Sequence, residues 1–110
     1  MSLDIFTFCE DHTSMHVISK KRLREFWAVH PDAERPLRRW YKTVEKADWL
    51  SFADVRATYR HADQVGKLIV FNIAGNKYRL IAAIHFNRSK VYVRNVLTHV
   101  EYDRGDWKED

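Results

Sequence analysis

This sequence of 110 residues is poor in the residues that cross-link or interrupt a chain. It contains one cysteine (Cys9), two prolines and three glycines. A single cysteine excludes an intramolecular disulfide and fits a reducing compartment, so we expect a cytoplasmic protein. No run approaches the roughly 18 consecutive apolar residues of a transmembrane helix, and the N-terminus lacks the features of a secretory signal. The sequence therefore predicts a single soluble domain without membrane association.

Metal ligands are also too few and too scattered to predict a metal site. Cys9 and His12 form only an isolated Cys-x-x-His, and the other histidines lie far apart in the sequence. The chain has no glycine-rich phosphate loop, no Ser-His-Asp pattern and no GxSxG motif. We therefore expect no metal and no cofactor.

Charge is unevenly distributed along the chain. The net charge is only +4, because both ends are acidic. Residues 15–100 hold 17 Lys and Arg against 7 acidic residues, a net charge of +10. A basic body of this kind attracts a polyanion such as RNA. The alternative is an ordinary solvated surface with spare lysines.

The N-terminal half predicts a strand followed by helices. Residues 15–18 have the pattern of a short strand, and Ser19 is a suitable N-cap for a helix that ends near His30-Pro31. A second helix is predicted from about Ala33. Residues 51–54 have a capping-box pattern, which predicts that Ser51 caps a short helical segment running to about Tyr59. Residues 60–66 are predicted to be a loop. The apolar positions of the first two helices recur at helical spacing and comprise Leu23, Phe26, Trp27, Leu37, Trp40, Tyr41 and Val44.

The C-terminal half predicts three antiparallel strands. The runs 67–74, 77–86 and 90–98 are rich in Val, Ile, Tyr and Phe, and turns separate them at Gly75-Asn76 and 87–89. The predicted fold class is therefore α+β in the order β-α-α(-α)-β-β-β. An N-terminal strand and two to three helices would pack on one face of a small antiparallel sheet.

Strand alternation sorts the side chains of this sheet if both hairpins have two-residue loops, at Gly75-Asn76 and Arg88-Ser89. One face is then almost wholly apolar, includes Asn95 and Leu97, and should be covered by the helices. The other face would remain without helices and includes Val96 and Thr98. Its polar members are Asn72, Lys77, Arg79, His85, Tyr92 and Arg94. Arginine is suited to bidentate contacts with phosphate; the alternative is that these arginines are simply solvated.

The chain continues from the last strand into residues 98–103. If these begin a helical turn, His99 and Tyr102 share one side of it and emerge near Arg79, because the assumed register sets Thr98 opposite Arg79. Histidine and tyrosine are able to transfer protons. A histidine near a C-terminus is otherwise most often a surface residue.

At these residues the chain resembles a known family, the HigB-type toxins of bacterial type II toxin–antitoxin systems, within the RelE-like superfamily. The resemblance covers residues 15 to about 107 and leaves residues 1–14 as an extension outside the toxin domain. The motifs that carry it are His30-Pro31-Asp32-Ala33, Trp40-Tyr41-Lys42, Ala47-Asp48-Trp49, Val70-Phe71-Asn72-Ile73, Gly75-Asn76-Lys77-Tyr78-Arg79, Tyr92-Val93-Arg94 and Thr98-His99-Val100-Glu101-Tyr102-Asp103.

The resemblance implies a RelE-like fold, cleavage of messenger RNA on the translating ribosome, and inhibition by a HigA-like helix-turn-helix antitoxin. It also implies catalytic roles for Arg79, Arg94 and Tyr102, with His99 beside them. In metal-free cleavage the arginines would stabilise phosphate charge, while His99 and Tyr102 would transfer protons in an order that the sequence leaves open.

Residues on the same face are predicted to bind the RNA, and these are Asn72, Lys77, His85 and Tyr92. The alternative function is a non-catalytic RNA-binding or ribosome-binding module that uses the same basic face. That alternative needs Arg79 and Arg94 but gives His99 and Tyr102 no chemical task.

Overall fold

The computed structural model describes residues 15–109, which form a mixed sheet between two unequal layers. The α-helices are α1 (Lys20–Val29), α2 (Glu34–Lys46), α3 (Phe52–Thr58) and α4 (His99–Arg104). Short 3₁₀ helices span Pro31–Ala33, Phe86–Arg88 and Asp106–Glu109. The predicted extension 1–14, with Cys9 and His12, lies outside the described residues. No helix in the described part of the chain is long and apolar enough to cross a membrane.

The strands are β1 (His16–Ile18), β2 (Asp63–Val65), β3 (Leu68–Ile73), β4 (Tyr78–His85) and β5 (Lys90–Thr98). Their order in the sheet is β1-β5-β4-β3-β2. The α+β fold class is thus confirmed. The sheet is mixed rather than purely antiparallel, because β1 pairs in parallel with the start of β5. The predicted loop 60–66 was wrong in part, since β2 falls within it and pairs antiparallel with β3.

The predicted helix boundaries agree with the structure, but two predicted caps do not form. Helix α1 ends at Val29, before His30-Pro31, because a residue that precedes proline is disfavoured in the helical region. Ser19 occupies the N-cap position of α1 with a φ of 78°, and its side chain makes no capping hydrogen bond. The side chain of Ser51 likewise makes no capping hydrogen bond to α3. The Asp54 carboxylate instead accepts a hydrogen bond from the backbone N–H of Leu50 (2.8 Å).

The core lies between helices α1–α3 and one face of the sheet. Phe71 stands at its centre, with its ring centroid 5.4 Å from that of Trp40 and 5.3 Å from that of Tyr59. Leu23, Leu37, Trp40, Val44, Val55, Phe71, Leu80 and Val93 are buried in this core, and Phe26 and Ile84 pack against it. The predicted packing of these helices on one face of the sheet is therefore confirmed. Each large apolar side chain buried here contributes roughly 1.5–3 kcal/mol.

The β3–β4 hairpin has the predicted register. Asn72 lies opposite Arg79, and the backbone N–H of Lys77 donates to the carbonyl of Ala74 (3.2 Å). Gly75, in the turn, has a φ of 70°, in the left-handed region that glycine adopts without steric cost. Strand β4 therefore presents Arg79 on the face opposite the core.

The register of the β4–β5 hairpin differs from the predicted one. Its loop contains the 3₁₀ helix Phe86–Arg88, so that His85 pairs with Lys90, and the register of β4 with β5 shifts between Ile81 and Ala82. Arg94 is the extra residue at this β-bulge, because Val93 pairs with Ala82 and Asn95 pairs with Ile81. Beyond the bulge every side chain of β5 lies on the face opposite to the predicted one.

The predicted faces of the last β5 residues were therefore wrong. Val96 lies across from Leu80 and packs against the core, whereas Leu97 lies across from Arg79. Thr98 pairs with Tyr78 and not with Arg79. The alternation of side chains along a strand does not by itself reveal that one extra residue is inserted at a β-bulge.

The face opposite helices α1–α3, called the second face below, was wrongly predicted to be free of covering structure. Helix α4 and the 3₁₀ helix Asp106–Glu109 fold back over it, and the Trp107 side chain packs on Val70 and Ile81. Val70 and Ile81 are 2% and 0% exposed, respectively. The apolar residues of the second face therefore form a small core of their own under the C-terminal segment.

Candidate functional site

Arg79 lies in β4 on the second face and is held by the backbone beside it. Its Nη1 donates to the carbonyl oxygens of Asn76 (2.9 Å) and Tyr78 (3.3 Å). Among the described residues, no carboxylate forms an ion pair with Arg79. Its half-buried guanidinium therefore keeps an uncompensated positive charge that can meet a phosphate.

The Tyr102 ring is in contact with the Arg79 guanidinium. The Cζ atom of Arg79 is 5.2 Å from the centroid of the Tyr102 ring, within the range of a cation–π contact. Tyr102 also packs against Trp107, whose ring is nearly parallel to it at a centroid distance of 5.1 Å. Trp107 Nε1 also donates to the carbonyl of Tyr102 (2.9 Å). The tyrosine is thus held by contacts with both the cation and the tryptophan.

The start of α4 has a complete capping box. Thr98 Oγ1 accepts from the backbone N–H of Glu101 (3.3 Å), and the backbone N–H of Thr98 donates to Glu101 Oε1 (2.9 Å). Caps of this kind contribute about 1 kcal/mol. The cap fixes the transition from β5 to α4 and hence the directions of His99 and Tyr102.

His99 forms a pair with Asp103, one helical turn later. His99 Nδ1 lies 3.1 Å from Asp103 Oδ2, and the two side chains are 53% and 62% exposed. A carboxylate on Nδ1 favours the tautomer with its proton on that nitrogen, which leaves Nε2 as the acceptor. His99 and Tyr102, three residues apart, lie on one side of α4.

Two predicted RNA-binding residues lie near Arg79 but differ in their contacts. Asn72 is directly across from Arg79 and its Nδ2 donates to Asn76 Oδ1 (3.3 Å). The ammonium group of Lys77 instead donates to the carboxylate of Asp32, at the edge of the helical layer. Lys77 is therefore not brought into the group around Arg79, contrary to its predicted place on the second face.

The Asp32 carboxylate also accepts a hydrogen bond from the Tyr78 hydroxyl (2.6 Å). The hydrogen bonds from Lys77 and Tyr78 lower the pKa of Asp32, and the same contacts raise the pKa values of Lys77 and Tyr78. This cluster ties the β3–β4 hairpin to the helices.

The remaining predicted residues lie at the other end of the second face. Arg94 lines a groove there with Leu68 and Ala83, which pair with each other four residues along from the Asn72–Arg79 pair. The rings of His85 and Tyr92 make an edge-to-face contact nearby, at a centroid distance of 5.1 Å. Four residues of strand correspond to about 13 Å. The structure thus separates Arg94 from Arg79, although both lie on the second face.

We call the residues at the first end the Arg79 group, which comprises Asn72, Arg79, His99, Tyr102 and Asp103. It combines an arginine, a tyrosine at that arginine and a carboxylate-oriented histidine. Within residues 15–109, no set of three His, Cys, Asp or Glu side chains could hold a metal ion. The group is suited to stabilising an anion and transferring protons beside it.

A family model described as the HigB toxin, a RelE-like toxic component of a toxin–antitoxin system, matches residues 33–105. This chain belongs to the HigB toxin family. The match extends from the end of the 3₁₀ helix before α2 to just beyond α4 and leaves out α1, and the Arg79 group lies within it. The resemblance drawn from the sequence motifs is therefore confirmed.

Named members of the HigB family cover most of the chain. The mRNA interferase toxin HigB of Escherichia coli K12 is 32% identical over 92 residues, which cover 81% of this chain and 88% of that protein. The mRNA interferase HigB of Shigella flexneri has the same identity and coverage. The mRNA interferase HigB of Escherichia coli O6:H1 is 28% identical over 93 residues, or 82% of this chain and 90% of that protein.

Two residues of this site were missed in the sequence. Asp103 could have been found, because its spacing of four residues from His99 is that of a helical side-chain pair. Trp107 was harder to find, since its role depends on the chain reversing after Gly105, which has a φ of 77°. A hint was present in Val70 and Ile81, two apolar residues on a face predicted to be solvated.

Proposed function

We propose that this HigB-family chain is the toxin of a type II toxin–antitoxin module and inhibits translation by cutting messenger RNA. The observation that carries the proposal is the Arg79–Tyr102 contact beside the His99–Asp103 pair. The three relatives above are each named as mRNA interferases, and they cover this chain over most of its length.

In the proposed reaction Arg79 binds the scissile phosphate. The ribose 2′-oxygen attacks phosphorus in line with the leaving 5′-oxygen, and negative charge grows on the non-bridging oxygens. The guanidinium of Arg79 is already held by two backbone carbonyls. It therefore needs little reorganisation to stabilise this charge.

His99 and Tyr102 carry out the two proton transfers of this reaction. His99 Nε2, with Nδ1 directed at Asp103, takes the proton of the 2′-hydroxyl as the bond from O2′ to phosphorus forms. The Tyr102 hydroxyl gives a proton to O5′ as the bond from phosphorus to O5′ breaks. The products are a 2′,3′-cyclic phosphate and a 5′-hydroxyl, so atoms and charges balance without a metal ion or cofactor.

The competing function is binding of RNA or ribosomes without cleavage, and it would leave the RNA intact. In the test, the purified chain is incubated with translating ribosomes, and the 3′ ends of the message fragments are analysed. Cyclic phosphate ends that disappear in Tyr102→Phe, while ribosome binding is kept, support the proposal. Intact message with undiminished ribosome binding would favour the binding module.

The proposal also includes a translating ribosome as the place of cleavage, and hence a cytoplasmic location. The partner would be a HigA-like helix-turn-helix antitoxin that blocks the basic second face. Support for a blocking partner comes from the net charge of +10 in residues 15–100, because a protein that supplies carboxylates can compete with RNA for such a surface.

A further inference from the structure

The second face has a groove that the Arg79 group does not use. It has a volume of about 680 Å³ and lies beside the β2–β3 turn. Its lining includes Gln64, Lys67, Leu68, His85, Arg94 and Lys108. Three different segments of the chain therefore bring basic side chains to one groove, namely the β2–β3 turn, the bulge of β5 and the C-terminal 3₁₀ helix.

The described charged side chains that line this groove are all basic. Lys67, Arg94 and Lys108 line it, and none of its lining residues that the structure describes carries a carboxylate. Two grooves at the opposite end of β5 contain Glu101, and one of them also contains Asp106. Within the described side chains, neither Lys67 nor Lys108 forms an ion pair. Such a groove fits a polyanion far better than a neutral ligand.

The position of the groove relative to the Arg79 group is fixed by strand pairing. Asn72–Arg79, Val70–Ile81 and Leu68–Ala83 are successive pairs whose side chains share the second face. Trp107 covers the middle pair. The basic groove and Arg79 are therefore separate sites about 13 Å apart along the sheet, which is more than one phosphate can bridge.

An aromatic pair stands beside the groove. His85 lines it, and the ring of Tyr92 meets that of His85 edge-on. Tyr92, in β5, pairs with Ala83 of β4, another lining residue. Aromatic rings next to cations bind single-stranded RNA by stacking with bases while the cations hold the phosphates. A purely protein ligand would leave this combination unexplained.

From these observations the geometry points to a second RNA subsite, in which Lys67, Arg94 and Lys108 bind phosphates of the single strand that continues from the scissile bond. This inference rests on the proposed function for the identity of the strand. It moves Arg94 from the catalytic group to a binding role. Loss of these cations should therefore weaken RNA binding and raise KM, while kcat stays within about twofold, because ground-state and transition-state binding change equally.

The test measures the salt dependence of RNA binding by fluorescence anisotropy. The probe is a labelled single-stranded RNA of about 12 nucleotides with 2′-O-methyl riboses, which has no nucleophile and stays intact. Each lost phosphate contact lowers the steepness of log Kd against log salt by about 0.7. The double variant Lys67→Ala/Lys108→Ala changes only exposed residues and should therefore flatten the slope by about 1.4 units.

Three companion variants sharpen the result. Arg94→Ala should flatten the slope by about 0.7, and Tyr92→Ala should weaken binding by about fivefold or more without changing the slope. Lys42→Ala, at an exposed position of α2, should change neither quantity. The double lysine variant keeps the test decisive if the half-buried Arg94 proves necessary for folding.

The outcomes are distinct from those for cleavage. A slope that is unchanged in the double lysine variant overturns the inference. A loss of binding to purified ribosomes with unchanged binding of the free strand also overturns it, because ribosomal RNA would then be the ligand. A flattened slope in a chain that cuts no message supports the subsite while the proposed cleavage fails.

Discussion

The guanidinium of Arg79 and the ring of Tyr102 are in cation–π contact at 5.2 Å. This contact joins β4 to α4, elements that are separated in the sequence by the whole of β5. In the proposed reaction, the cation that binds the phosphate and a group that transfers a proton therefore position each other. Changes that release Tyr102 should therefore affect catalysis even when they lie outside the site.

Trp107→Ala is the first such change. It removes the ring that supports Tyr102 and exposes Val70 and Ile81. We expect the free energy of unfolding to fall by about 3 kcal/mol, as for other buried tryptophans, and cleavage to fall with it. Denaturant unfolding measures the first effect, with Lys108→Ala as a neighbouring control that changes stability by less than about 0.5 kcal/mol. Full stability in the alanine variant would show that the C-terminal segment does not cover the second face.

Asp103→Asn tests the orientation of His99. The substitution removes the carboxylate charge from His99 Nδ1, and kcat should fall about tenfold, the size expected when an orienting partner is lost. Stability should change little because the pair is exposed. Asp103→Glu should restore part of the rate, and Asp106→Asn, an exposed carboxylate in the following turn, should leave it unchanged. Equal rates for Asp103→Asn and the wild type would remove Asp103 from the site.

Asp32 should make the stability depend on pH at both ends of the scale. Hydrogen bonds from Lys77 and Tyr78 lower the pKa of Asp32, so its stabilising contribution is present above the ordinary carboxyl pKa of about 3.9. The contribution is lost as the pH falls through the lowered value. The pKa values of Lys77 and Tyr78 are raised, so their contribution is present below their ordinary values near 10 and is lost at still higher pH.

The measurement is the melting temperature of the wild type and of Asp32→Asn as a function of pH. The wild type should be more stable by a constant margin from about pH 5 to 9, and the margin should close towards both extremes. Asp48→Asn, at an exposed aspartate after α2, is the control and should follow the wild-type curve. A margin as large at pH 2 as at pH 7 would contradict this role of Asp32.

Local sequence patterns predicted the β3–β4 hairpin better than the β4–β5 hairpin. Gly75-Asn76 specifies a tight turn, and its register correctly set Asn72 opposite Arg79. The bulge at Arg94 left no trace in the alternation of side chains, because Val96 and Leu97 are both apolar and either could face the core. The position of Asn72 opposite Arg79 was therefore predictable, whereas the separation of Arg94 from Arg79 was not.

The C-terminal segment shows a second limit of prediction from the sequence. The capping box of Thr98 and Glu101 is readable in the sequence, and it marks where β5 becomes α4. The return of Trp107 over the second face depends on packing between residues far apart in the chain. Only the three-dimensional structure brings Trp107 onto Val70 and Ile81.

The antitoxin prediction concerns growth. Expression of the chain alone should arrest a bacterial culture, and co-expression of a helix-turn-helix protein from the adjacent gene should restore growth and co-purify with the chain. Cells should tolerate the Arg79→Ala variant without the partner, because the toxicity of the chain depends on RNA cleavage. High expression of the unaltered chain without growth arrest would count against a toxin function.

The most direct test of the central claim is the rate of cleavage of ribosome-bound message by Arg79→Ala beside Arg38→Ala. Arg38 pairs with Glu34 on the surface of α2 (2.8 Å), far from the second face, and its loss should leave the rate unchanged. Loss of Arg79 should lower kcat by about 100- to 1000-fold with the fold intact, and EDTA should change neither rate. Full activity of Arg79→Ala, or loss of wild-type activity on addition of EDTA alone, would contradict the account.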